Sequence, residues 1–196
     1  MEEGFRLYAE KGIELVTFPE IADASIVGRA TIFNYFNSKL ELVIAIATWK
    51  WEEYIKEYNK TVNEEDVRKM TGAEYLRFYL DSFLDLYRHH SELLRFNYNF
   101  NIFVRNEKGS PEQIQPYMHM VNELGKEFHE LYERGRRDGT LNMDVSEEEL
   151  FSSTFHIMLA ACTRYAVGLV YVSDKADPEK ELIRLEKMML REFTAE

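Results

Sequence analysis

Residues 30–42 read ATIFNYFNSKLEL, with Phe33, Tyr35 and Phe36 set around two asparagines before a break at Asn37-Ser38-Lys39. A core helix spaces its apolar residues three and four apart and does not close on Tyr-Phe-Asn. Placed on a helix, Ile32 and Phe36 share a core face. Arg29, Thr31, Phe33 and Asn34 fall on the remaining surface. The segment therefore reads as half core and half polar contact surface, followed by a sharp turn. Periodicity alone favours a plainer reading, in which the aromatics are core and Arg29 is a solvated surface residue.

Composition narrows the surroundings. With 196 residues, the chain can bury one substantial core, or carry a small module on a larger domain. Hydrophobic residues at 45% and charged residues at 30% exclude disorder, and 4 Pro with 9 Gly point to long regular elements. Met1 leads into Glu2 and Glu3 with no signal-peptide pattern, and the apolar run Ile157 to Cys162 is too short to cross a bilayer. A single cysteine, Cys162, excludes an internal disulfide and suits a buried thiol in a reducing cytoplasm. The net charge of −11 opposes non-specific nucleic-acid binding, so any DNA contact must be a local patch.

Helical periodicity dominates the chain, and an all-α fold of about nine helices is expected. Phe5, Tyr8 and Ala9 face one way on a first helix that stops at Gly12, where a left-handed cap is expected. Thr17 caps a second helix over 18–24, with Pro19 in its first turn. A third spans 28–35, preceded by Val27. After Ser38 a long helix covers 39–59, and Asn63–Thr71 reads as a polar connection. Helices near 73–89 and 91–104 follow. The second of these alternates with period two over 96–102, as a strand would, but no second strand is available to pair with it. Arg105–Pro111 reads as a loop, and an amphipathic helix then runs to just before Gly139. Ser146 to Glu149 forms a capping box opening a helix from 147 to about 172, and Asp177-Pro178 opens the last, over 178–193.

Three short helices in a row suggest a helix-turn-helix. Ala9-Glu10-Lys11-Gly12, Thr17, Ile21-Ala22, Val27, Thr31, Phe33, Tyr35-Phe36, Ser38-Lys39 and Leu42 stand in register with the amino-terminal module of TetR-family transcriptional regulators, which residues 9–42 resemble. Glu133-Arg134-Gly135 through Gly139, followed by a capping box, also resembles the family. The turn carries Ser25-Ile26 where the family has Ala-Gly, and Gly28 replaces the usual Ser or Thr cap. The resemblance implies a DNA-binding head at 1–40 and a helical effector-binding and dimerisation domain at 41–196. Thr17, Arg29, Thr31, Phe33, Asn34, Tyr35 and Lys39 become the candidate DNA contacts. Arg29 can donate a bidentate pair to guanine and Asn34 can pair with adenine. Tyr35 and Lys39 match positions that clamp phosphates. The first helix is short by comparison, so a truncated start is expected. Residues 1–50 carry five basic and seven acidic side chains, which raises a rival expectation: a helical ligand-binding or interaction protein that has lost DNA contact.

By the same resemblance the last two helices form a four-helix dimer interface, with His156, Ala160, Thr163, Val167, Leu182, Leu185 and Met189 as candidate face. The aromatic excess supplies the effector candidates. Tyr79, Phe83, Tyr87, Phe96, Phe100, Phe103, Tyr117 and Phe128, with Arg164, would hold a flat or elongated apolar molecule bearing a hydroxyl or carboxylate. No cofactor is expected. His89-His90, His119 and His129 match no metal spacing, and no nucleophile elbow or phosphate loop occurs, so no catalytic site is expected. A cytoplasmic repressor, released from its operator DNA by a small effector, is the expected function.

Overall fold

The computed structural model describes residues 1–25, 28–170 and 177–195, apart from the side chain of Arg29. Ten α-helices occur among these residues: α1 (Glu2–Lys11), α2 (Phe18–Ala24), α3 (Arg29–Tyr35), α4 (Lys39–Thr61), α5 (Glu64–Lys69), α6 (Gly72–His89), α7 (Ser91–Asn106), α8 (Pro111–Asp138), α9 (Glu147–Val167) and α10 (Pro178–Phe193). The all-α expectation holds. Apart from an isolated antiparallel bridge between Leu141 and Thr194, no β-structure occurs among the described residues.

Capping chemistry sets the boundaries. The Thr17 hydroxyl accepts from the Glu20 amide at 3.4 Å while the Glu20 carboxylate accepts from the Thr17 amide at 2.8 Å, which fixes the start of α2. Thr71 and Glu74 repeat that reciprocal pair at α6. Ser146 caps α9 by accepting from the Glu149 amide at 3.2 Å, and Asp177 caps α10 by accepting from the Lys180 amide at 3.1 Å. Gly12 ends α1 at φ 87°, a backbone angle that L side chains resist.

Three expectations are corrected. The polar connection 63–71 contains α5, capped by the Asn63 side chain and held by Arg134, whose guanidinium donates to the carbonyls of Val67 and Met70. The segment 91–104 is helical through Asn106, so the loop shrinks to 107–110. Gly168, at φ 100°, ends α9 at Val167 rather than near 172. Ten helices among the described residues agree with the expected count of about nine, α5 being the addition. Residues Ile26 and Val27, part of the expected turn, lie outside the described residues.

The chain forms two compact units. The first comprises residues 1–56 and 92–122, and the second 57–91 and 123–196. In the first, α1 packs on α2 and α2 on α3, over a core that includes Tyr8, Ile13, Ile21, Ile32 and Val43, all at most 7% exposed. Phe96 of α7 joins it, its ring centroid 5.3 Å from Phe5 and 6.5 Å from Tyr8. In the second unit α6, α9 and α10 pack against one another around Leu76, Leu80, Leu150 and Leu182. Its α8 meets the start of α6 at a glycine pair: a Cβ on Gly72 would stand 2.1 Å from Gly135 Cα. Asp138 accepts from the Gly72 amide at 2.8 Å and the Thr140 hydroxyl from the Ala73 amide at 2.9 Å, so the start of α6 is satisfied from α8 and the turn after it.

Candidate functional site

α3 is short, and it opens at Gly28 with no side-chain cap. Its Ile32 is buried, which seats the helix on the head. Thr31, Asn34 and Tyr35 lie three and four residues apart and are exposed, Tyr35 at 74%. Phe33 is 55% exposed and leans on Phe18 of α2, with ring centroids 5.2 Å apart. Two large aromatic side chains are thus presented to solvent from a seven-residue helix. Thr17 is exposed too, but its hydroxyl is engaged with Glu20 as the α2 cap. The side chain of Arg29 lies outside the described residues.

Lys39, expected at a phosphate, is held by protein. Its ammonium donates to the Glu14 carbonyl at 3.1 Å and stands 5.5 Å above the Phe103 ring. Desolvation is the main cause that lowers its pKa, only partly opposed by Glu14 and Glu107. That ammonium still has two further hydrogens. The other basic groups described in residues 1–50 face carboxylates: Arg6 bonds Glu3 and Glu10, Lys11 stands 3.9 Å from Glu20, and Lys50 lies 2.6 Å from Glu53. Three of the head's cations are therefore matched by nearby acids.

The nine effector candidates divide between the two units. In the first, Phe96, Phe100 and Phe103 are buried. Phe100 lies 4.7 Å from the Tyr117 ring, and the Tyr117 hydroxyl donates to the Asn97 side chain at 3.2 Å. Trp51 donates to the same Asn97 oxygen at 3.4 Å. Burial pushes the Tyr117 phenol up to about 12. In the second, Tyr79 packs edge-to-face on Phe83 and Phe128 at 5.3 and 5.1 Å, and the cluster continues through Phe151 and Phe155. Tyr87 meets Tyr165 instead, at 6.5 Å, and Arg164 is exposed on α9. Phe151 and Phe155 were missed by the sequence reading, although they stand four apart on one helix face and could have been found. Trp51 carried no such signal, whereas Asn97 is expected among the polar groups between the aromatics. A groove of about 380 Å³ in the second unit is lined by Asp66, Lys69, Glu74, Arg77 and Asp81 among others, and by none of the nine candidates.

Of the expected dimer face, Leu182 and Met189 are buried within the second unit and are withdrawn from it. His156, Ala160 and Val167 are exposed, and Ile157 (47%) and Met188 (59%) add apolar surface beside them. Among the described residues no cluster of His, Cys, Asp or Glu could hold a metal ion, and no helix is long and apolar enough to cross a membrane.

Residues 1–46 match the sequence profile described as bacterial regulatory proteins, tetR family. No curated protein sequence matches the chain. Among solved structures, the chain is similar to a putative transcriptional regulator from Saccharomonospora viridis in complex with choline, at 16% identity and a TM-score of 0.73, over 100% of this chain and 95% of that one. It is also similar to the transcriptional regulator FadR from Bacillus subtilis in complex with stearoyl-CoA, at 17% identity and 0.69, over 96% and 95%. The ketosteroid transcriptional regulator KstR2 of Mycobacterium tuberculosis gives 15% and 0.68, over 100% and 93%. At these identities the likeness speaks for the fold.

Proposed function

We propose that this chain is a ligand-responsive DNA-binding transcriptional regulator, acting in the cytoplasm as a homodimeric repressor, a reading supported by the match of residues 1–46 to the tetR family of bacterial regulatory proteins. Residues 1–40 are its reading head and 41–196 its effector and dimerisation part. The observation that carries the reading is the exposed face of α3. Phe33 and Tyr35 are left in solvent over a closed core, and Thr31 and Asn34 lie beside them at helical spacing. Exposed aromatics grouped with hydrogen-bonding side chains mark a surface with a partner. A helix seated this way fits a DNA major groove, where Thr31 and Asn34 reach base edges, Arg29 reads guanine, and Tyr35, Thr17 and Lys39 fix register on phosphates.

Two heads must be held about one DNA turn apart, roughly 34–36 Å, for such reading to be specific. The exposed stripe of α9 and α10 (His156, Ile157, Ala160, Val167 and Met188) supports a two-fold dimer through the last two helices. The effector is a small apolar or aromatic molecule, and its binding shifts the dimer toward a state with wrongly spaced heads. That relatives of this fold have been solved with choline and with stearoyl-CoA supports a ligand site in this chain.

The test is fluorescence anisotropy on duplexes from the DNA flanking the chain's own gene. Specific binding is expected from the wild type, and Thr31→Ala with Asn34→Ala should flatten the preference over scrambled duplex without moving Tm. Wild type that binds both duplexes alike sinks the reading. Ile157→Glu should give monomers in sedimentation and weaken operator binding with them. A rival reading, in which the fold persists without DNA contact, draws on one observation: Arg6, Lys11 and Lys50 are already matched by acids.

A further inference from the structure

The Tyr79 hydroxyl is shut off from solvent and has no hydrogen-bond partner. It sits in the aromatic cluster of the second unit, where ring centroids of Phe83 and Phe128 lie 5.3 and 5.1 Å from its own. Thr154, fully buried and close enough to bear on its acidity, directs its own proton to the Leu150 carbonyl at 2.7 Å and offers the phenol no bond of ordinary geometry. An orphaned phenol in an apolar core costs roughly 1–3 kcal/mol, so an unmatched one signals an absent partner. Tyr79, Phe151 and Phe155 are only partly buried, so the cluster reaches the surface.

The geometry points to this cluster as the effector site, and to a neutral, ring-bearing molecule whose single carbonyl or hydroxyl meets Tyr79. This rests on the effector-controlled reading above. Three observations set the class. Burial is the main cause that raises the Tyr79 pKa and no charged group contributes, so an anion would enter without a counter-charge. Arg164, the one cation among the nine candidates, is exposed on α9. A cation would give up its water with no carboxylate acting on Tyr79 to replace it.

Titration with 2-naphthol, 2-naphthoate and choline separates the classes. The naphthol should bind at least tenfold more tightly than either ion, and Tyr79→Phe should weaken it about fivefold to tenfold. Since the hydroxyl is unpaired in the free protein, Tyr79→Phe should leave Tm unchanged or raise it. Naphthoate or choline binding as well as naphthol, no binding by any probe at millimolar concentration, or a Tm that falls by several degrees in Tyr79→Phe each overturns the assignment. None of these outcomes touches operator binding measured without effector, so the failure of this site is distinct from failure of the regulator reading.

Discussion

Lys39→Met tests how the head meets DNA. Among the described basic groups of residues 1–50, Lys39 alone faces a carbonyl rather than a carboxylate. If Lys39 and Arg29 of each protomer are the cations offered to phosphate, a dimer presents about four, and log K should fall against log[salt] with a slope of about −3.6. Between 50 and 200 mM salt that is a loss of roughly 150-fold. Replacing Lys39 in both protomers should bring the slope to about −1.8 and the loss to roughly 12-fold.

The same substitution removes the bond to the Glu14 carbonyl and the contact with Phe103. Discounted for partial exposure, that costs about 1 kcal/mol, or roughly 2–4 °C in Tm for a chain of this size. Affinity is therefore measured by anisotropy well below the transition, with Lys39→Arg as the variant that should restore the slope. A slope near −3.6 that survives Lys39→Met would refute the reasoning, since Lys39 would then be a structural strut and nothing more. A wild-type slope steeper than about −7 would refute it from the other side, showing that the acid-paired cations reach phosphate after all.

Gly72→Ala drives a methyl group to 2.1 Å from Gly135 Cα and 2.4 Å from its nitrogen. Two backbones must part, so on the order of 3 kcal/mol and a Tm drop of roughly 6–12 °C are expected in calorimetry. Cys162 is fully buried, its Sγ donates to the Phe83 carbonyl at 3.4 Å, and burial pushes its thiol up to about 12. Ellman's reagent at pH 8 should therefore leave the native protein unlabelled and react once it is denatured. His129 lies 2.9 Å from the Glu147 carboxylate, and that hydrogen bond is the main cause raising its pKa. A raised folded value means stability present below the ordinary pKa of 6.5 and lost as pH climbs through the folded one. The Tm gap between wild type and His129→Gln should shrink from pH 5.5 to 8.5, and a constant gap would contradict it.

Helix starts were legible because capping is local chemistry. Thr17 with Glu20, Ser146 with Glu149, and Asp177 before Pro178 all act within four residues, and each fixes an end where expected. α5 was not legible. It has no buried residue, and its carbonyls are satisfied by Arg134, more than sixty positions away. The end of α9 was missed because Leu169 and Val170 extend the apolar pattern past Gly168, whose backbone angle overrides it. Aromatic spacing identified inward-facing rings and could go no further. Tyr79 and Phe83 share the four-residue spacing of Phe96 and Phe100, yet the two pairs close different cores. The exposed edge of α3 was legible for the opposite reason: Ile32 and Phe36 leave it no second buried face.

A head with few unmatched cations has a consequence for control. Phosphate contacts supply affinity to any duplex, whereas base contacts supply it to one. Under the proposed reading, the pairing of Arg6 with Glu3 and Glu10, and of Lys50 with Glu53, lowers the non-specific share and leaves the α3 face to provide most of the discrimination. Allosteric couplings of about 1–3 kcal/mol change affinity roughly 5–150-fold. A strongly basic head would remain on neighbouring DNA after such a change. With about two phosphate-reaching cations per protomer, the same coupling takes the protein off the duplex altogether. The acidic balance that argued against DNA binding is, on this view, what allows a weakly coupled neutral effector to act as a release signal.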